Sequence, residues 1–331
     1  MSDPVAAIEQ AGAELEKVKS EIAKRIVGQR TVVDQSLTAI LSGGHALLVG
    51  VPGLAKTRLV DTLGKVLGLD SSRIQFTPDL MPADILGSEV LEEGADGARV
   101  FKFIQGPVFT RLLMADEINR ASPRTQSALL QAMQEYHVTV AGEDRQLDRP
   151  FHVLATQNPI EQEGTYPLPE AQLDRFLLQI DVDYPTRDEE RDILIATTGS
   201  QDAVCEQILS PEKLIEMQTL VRTMPVGEAV VEAILSLVRS ARPGEPEAAD
   251  AATKRLAWGP GPRAAQSLML AVRAKALLEG RLAPTLDDVR TLAPSAMAHR
   301  MALSFSARAE GVSISGVISE LLAQTSIAEA A

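Results

Sequence analysis

One cysteine, Cys205, stands in 331 residues. It has no partner for an internal disulfide, and no His/Cys cluster carries the spacing of a zinc site, so we read it as a small packing residue. His45 and His137 have no acid or cysteine partner at ligand spacing, and His45 starts a buried strand, so both are read as structural. No apolar run approaches the ~20 residues that cross a bilayer. The start, MSDPVAAIEQ, lacks the basic and apolar segments of a signal peptide, which leads to the expectation of a cytoplasmic protein. Positive charge is also short: 32 Lys and Arg face 45 Asp and Glu, a net −13. The chain as a whole therefore does not attract phosphate backbones, which argues against nucleic acid as a partner, although a local basic patch near Arg120 and Arg124 stays open.

What is present is enough apolar residue, 45%, for a soluble protein with one large core or two modest ones. Ile8, Leu15, Val18, Ile22 and Ile26 share one helical face, which predicts an N-terminal helix ending near Gly28. Beyond it, short apolar runs at 45–50, 73–77, 111–115, 151–156 and 176–182 alternate with helical patterns, and such alternation predicts a parallel sheet covered by helices. After Tyr184-Pro185-Thr186 the strand signals stop. Helices are expected at 187–197, 211–222, 227–241, 262–279, 285–299 and 312–323, with a Pro- and acid-rich surface loop at 241–253. The expected division is a domain over 1–186 and a helical one over 187–331.

The octamer Gly50-Val51-Pro52-Gly53-Leu54-Ala55-Lys56-Thr57 follows an apolar run and opens into a helix with Leu59, Val60, Leu63, Val66 and Leu67 on one side. This is the strand, loop and helix context of a phosphate loop. Glycines let backbone N–H groups curl round an anion, the helix start adds its positive end, Lys56 neutralises β- and γ-phosphate charge, and the Thr57 hydroxyl can hold Mg²⁺. Arg58 follows in the same turn. The signature asks for glycine where this chain has Ala55, a methyl that is tolerable if the residue is already helical. Residues 111–117, RLLMADE, end an apolar strand in two acids. Asp116 would reach Mg²⁺ through water and Glu117 would polarise an attacking water; acids capping the next helix are the plainer alternative.

With these residues on the page, the chain resembles the AAA+ superfamily, and LLMADEINRASPRTQSALLQAMQE (112–135), GVPGLAKT (50–57) and LPEAQLDRF (168–176) resemble the MoxR family along nearly its whole length. The resemblance implies an α/β class fold, an αβα P-loop nucleotide-binding domain with a parallel sheet followed by a smaller all-helical lid. It also implies ATP and Mg²⁺ as ligands, a usually hexameric ring, and ATP-driven maturation or remodelling of client proteins. Asn158 then matches sensor 1, although an Asn before Pro159 can also simply start a turn. Arg175 matches the arginine finger acting on a neighbouring subunit, against pairing with Asp174 or Glu170, or Arg120 as the finger. Arg263, opening a helix, matches sensor 2, where a waiting anion explains an arginine in a first helical turn. Val27, Gly28 and Gln29 match the adenine-lining segment, with Gly28 equally able to stop a helix. Segments 84–109 and 137–151 resemble the helix-2 insert and the hairpin before sensor 1, facing pore or client, or else plain surface hairpins.

Three functions compete on these grounds. A remodelling ATPase is first. A slow nucleotide switch that assembles a scaffold with a von Willebrand factor type A partner is the alternative, and a nucleic-acid motor is the least supported.

Overall fold

The computed structural model describes residues 4–93, 99–160, 164–198 and 203–325. Helix α1 (Pro4–Ala23) buries Ile8, Leu15, Val18 and Ile22, and stops at Ala23, short of the expected Gly28. Gly28 and Gln29 both take left-handed backbone before α2 (Arg30–Leu41), so the glycine marks a second turn rather than the end of the first helix.

The chain continues through β1 (Ala46–Val49), α3 (Lys56–Leu67), β2 (Ser71–Gln75), α4 (Pro82–Leu86) and a hairpin of β3 (Gly87–Glu93) and β4 (Arg99–Gln105). The connection between β3 and β4, part of the expected insert, lies outside the described residues. Then come β5 (Leu112–Asp116), α5 (Pro123–Glu135), a second hairpin of β6 (His137–Val140) and β7 (Glu143–Gln146), β8 (His152–Gln157), α6 (Glu170–Leu173) and β9 (Leu178–Asp181). Strands β2, β5, β8, β1 and β9 pair in that order, all parallel. Every residue of β5 is buried, as a strand covered on both faces requires. Successive side chains of β1 enter different cores. Leu47 joins Phe76, Leu129, Phe151 and Phe176 on one face, while Ala46 and Leu48 join a larger core shared by α1, α2, α3 and the C-terminal helices. Cys205 packs against this larger core and its thiol donates to the Glu21 carbonyl at 3.3 Å.

Downstream lie α7 (Arg187–Thr197), α8 (Pro211–Thr223), α9 (Glu228–Ser240), α10 (Asp250–Arg255), β10 (Leu256–Trp258), α11 (Pro262–Leu278), α12 (Leu286–Met297), a 3₁₀ turn (Ala298–Arg300), β11 (Ala302–Leu303), α13 (Phe305–Ala309) and α14 (Ile314–Gln324). The region is not wholly helical, because β10 and β11 pair antiparallel, and the expected loop at 241–253 ends inside α10. These pieces are too short for a period of 2 or 3.6 residues to show in sequence. The main sheet ends at Asp181, and we propose the division between nucleotide domain and lid at 186/187. Among the described residues no helix is long and apolar enough to cross a membrane.

The two hairpins touch. Ala141 and Gly142 both have positive φ, the two-residue loop that matches strand twist. Arg145 on β7 stacks over Phe103 at 3.9 Å and pairs with Glu89 at 3.7 Å, both on the first hairpin. His137 is less solitary than its sequence suggests, with Glu135 at 3.5 Å and Asp144 at 4.0 Å.

Candidate nucleotide site

In a parallel sheet the carboxyl ends of all strands share one edge, where ligands of α/β proteins bind. A cleft of about 500 Å³ opens at this edge, lined by residues 52–58 together with Arg73, Gln75, Asp116, Glu117, Thr156 and Asn158. Gly50 leaves β1 so close to β9's exit that a Cβ would lie 2.5 Å from the Val182 carbonyl oxygen. Val51 packs on the larger core, Leu54 is buried, Pro52 is exposed, and Gly53 turns with φ +86°. Ala55 is not helical, so the condition under which its methyl was expected to be tolerable is not met. It caps α3 from left-handed backbone, φ 55° and ψ 20°, the conformation that costs a side-chain-bearing residue ~1–2 kcal/mol and explains why glycine is the usual occupant.

Lys56 and Thr57 form the first turn of α3, with Arg58 beside them on the cleft wall. The Lys56 ammonium donates to the Gly50 carbonyl at 2.5 Å and the Val51 carbonyl at 3.0 Å. Burial pulls it below the ordinary lysine range, against the opposing pull of Asp116 and Glu117. A half-buried cation resting on loop carbonyls is what an incoming phosphate would draw away.

Asp116 ends β5 and Glu117 follows with φ 55°. Three residues that the sequence reading did not single out organise this pair. Thr156 on β8 donates to Asp116 Oδ1 at 2.6 Å and accepts the Glu117 N–H at 2.8 Å. Arg73 on β2 holds Asp116 Oδ2 at 2.6 Å. Gln75 on the same strand donates to Glu117 Oε2 at 2.8 Å, and Arg120 reaches that oxygen at 2.9 Å. Asp116 is buried while Arg73 is half-exposed, so a divalent cation could take over the charge that Arg73 now neutralises. The donor set, Thr57 hydroxyl plus Asp116 carboxylate, is oxygen-only and suits Mg²⁺. Asn158, just past β8, is buried and its Oδ1 accepts from the Ile160 N–H at 3.1 Å, the turn bond its position before Pro159 suggested.

Of Val27, Gly28 and Gln29, Gln29 reaches the phosphate loop, its Nε2 donating to the Leu54 carbonyl at 3.4 Å. A Cβ on Gly28 would lie 3.0 Å from Glu189 on α7, and its φ of +68° favours glycine in any case. A second cavity, of about 320 Å³, opens beside Gly28 between α1 and α2.

Arg175 and Arg263 do not line the phosphate cleft. Both line another one, with Asp174 and Arg300, at the amino end of β1 beside Gly44 and His45. The reason is topological: Arg175 precedes β9, β9 runs parallel to β1 in register Ala46 with Leu178, and a four-residue strand separates the two ends by roughly 13 Å. Arg263 opens α11 as expected, lies 3.6 Å from Asp174 and stays half-exposed. The Arg175 guanidinium meets no partner among the described residues, which leaves out the pairing with Asp174 or Glu170. Arg120 instead is engaged with Glu117 in the phosphate cleft.

Comparison with known proteins agrees with this architecture. Residues 45–178 match the model of the ATPase family associated with various cellular activities (AAA), and residues 248–321 match an AAA lid domain. The chain is similar to Chaperone MoxR1 of Mycobacterium tuberculosis, 42% identical over 93% of this chain and 81% of that protein. It is also similar to protein MoxR of Methylorubrum extorquens, 31% identical over 87% of each chain. A crystal structure of a candidate ATPase from Cytophaga hutchinsonii superposes with a TM-score of 0.88 at 37% identity, covering 97% of this chain and 96% of the other. The chain belongs to the MoxR family of AAA+ ATPases.

Proposed function

We propose that the protein binds MgATP in the cleft at the carboxyl edge of its sheet and hydrolyses it to ADP and phosphate, working in a closed, hexameric ring that remodels or matures client proteins in the cytoplasm. The convergence of Lys56, Thr57, Asp116, Glu117 and Asn158 on one cleft, from the ends of two strands and a helix start, carries this reading. In it, backbone N–H groups of 53–57 and Lys56 hold the phosphates, and Val27 to Gln29 border the adenine. Mg²⁺, held by Thr57 and Asp116, would neutralise phosphate charge. Glu117 accepts a proton from the attacking water once it leaves Gln75 and Arg120, and Asn158 orients that water. Arg175, with Arg263 beside it, completes the site of a neighbouring copy, since both point charge away from their own cleft. The exposed cross-strand pair Leu91 and Phe101 on one face of the braced first hairpin, with Val90 and Val100 exposed on the other, offers apolar surface to a client, in keeping with the chaperone name of the Mycobacterium relative.

A second reading has its own support: Glu117 is tied by two hydrogen bonds, which suits a slow switch that assembles with a von Willebrand factor type A partner. Specific ATPase rate against protein concentration separates the two. A rate that climbs with concentration, needs Mg²⁺ and disappears in Glu117→Gln supports the shared-site motor. A slow rate, flat with concentration and unchanged in Arg175→Ala, rejects it.

A further inference from the structure

The 3₁₀ turn after α12 carries Arg300, only 4% exposed, far from the phosphate cleft. All three of its guanidinium nitrogens are engaged. Nε donates to Asp174 Oδ1 at 2.7 Å. One terminal nitrogen donates to the Leu177 carbonyl at 3.3 Å and to the Ala296 carbonyl. The other donates to the Asp174 carbonyl at 3.2 Å, the Phe176 carbonyl at 2.6 Å and the Ser267 hydroxyl at 3.0 Å. Four of these acceptors belong to the turn 174–177, which flanks Arg175 on both sides, and two belong to the lid helices α11 and α12. Next to Arg300, His299 Nε2 donates to the same Phe176 carbonyl at 3.0 Å. Asp174 is shared, reaching Arg263 through its other oxygen.

A buried guanidinium is costly to desolvate, and an amine could not replace its planar fork of five donors at this set of acceptors. The backbone N–H groups of Asp174 and Arg175 bond only back into the four-residue α6, at the Glu170 and Gln172 carbonyls, so it is the grip that fastens this turn to the lid. We infer that Arg300 is a positioning residue that fastens the Arg175 turn to the lid, so that Arg175, Arg263 and the lid move as one body when a neighbour's nucleotide engages the two arginines. This rests on the reading that Arg175 acts on a neighbouring copy.

The test uses full-length subunits in mixtures. Glu117→Gln subunits keep Arg175 but cannot activate water, and Arg175→Ala subunits do the reverse, so an equimolar mixture regains turnover if sites are shared. Arg300→Lys is then added to one parent at a time, and Asp174→Asn is run in parallel as a milder way to loosen the same grip. The expected result is asymmetric. In the Glu117→Gln parent, which donates Arg175, the loosened grip lowers turnover about tenfold or more, the scale of loss that a ~1 Å misplacement brings. In the Arg175→Ala parent it leaves turnover within about twofold. Equal losses in both placements assign Arg300 a merely structural role and overturn the inference, as do no losses in either. A parent mixture that regains no turnover fails at the earlier step: it rejects the shared-site reading, and the inference falls with it.

Discussion

The two edges of the parallel sheet hold opposite kinds of chemistry. At the carboxyl edge, every charged group of the site already has a partner within the chain: Lys56 on loop carbonyls, Asp116 on Arg73 and Thr156, Glu117 on Gln75 and Arg120. At the amino edge, Arg175 finds no partner among the described residues and Arg263 has a loose, half-exposed one. Beneath those arginines lie three buried neutral histidines, His45, His152 and His299, hydrogen-bonded to the Met133, Gly44 and Phe176 carbonyls. The difference teaches that one edge is self-contained until a ligand rearranges it, while the other offers positive charge that its own fold does not use.

Breaking the carboxyl edge has the largest expected effect. Glu117→Gln should lower ATP turnover by roughly 10³-fold or more while leaving nucleotide affinity intact, as steady-state ATPase and equilibrium nucleotide binding on the same preparation would reveal. Acid should break the amino edge instead. Burial lowers His45 to about 3, His152 to about 4 and His299 to about 3, from 6.5. The folded state keeps them neutral, so below pH 6.5 the unfolded chain binds more protons. Their contribution is full above pH 6.5 and is lost as pH falls towards 4 and then 3. The slope starts at half of about 1.4 kcal/mol per group and pH unit at pH 6.5 and approaches that value below it, so stability should fall by about 3 kcal/mol between pH 6.5 and 5.5. Urea unfolding at the two pH values checks the sign, and an unchanged midpoint would contradict it.

Arg175→Ala should cost about 10²-fold or more in turnover and, like Glu117→Gln, leave nucleotide binding by dilute protein unchanged. Gln75→Ala sharpens the comparison in the other direction. Removing one hydrogen bond of ~0.5–1.5 kcal/mol from Glu117 should raise basal turnover, by no more than about tenfold, and a lowered rate would show that Gln75 aids catalysis rather than restraining it. The smallest effect belongs to Ala55→Gly, which relieves left-handed strain and should stabilise by ~1 kcal/mol, read as a higher midpoint in thermal unfolding.

Legibility in the sequence followed contiguity. The loop 50–57 and the acids 116–117 declare themselves because each is a single run set in strand and helix periodicity. Thr156, Arg73 and Gln75 do not, because their partners lie about forty residues away across adjacent strands, and one arginine or glutamine among many carries no local mark. Arg300 is hidden for the same reason, its turn lying more than a hundred residues upstream. The edge on which Arg175 falls was in principle readable, since a residue just before a parallel strand must lie opposite the phosphate loop, whereas the pull of Asp174 on Arg263 was not. Ala55 needed a backbone angle that sequence does not give.

The register of β9 beside β1 has one further consequence for counting. With the acids at one edge and the supplied arginine at the other, copies joined under the proposed sharing must follow each other head to tail. An open row always carries one site lacking an arginine at one end and one arginine lacking a site at the other, so a pair of copies completes one site between them. Only a closed circle completes as many sites as it has members, which would make the rate per subunit a direct gauge of closure: half for a pair, approaching unity as the row lengthens, and reaching it when the ends meet.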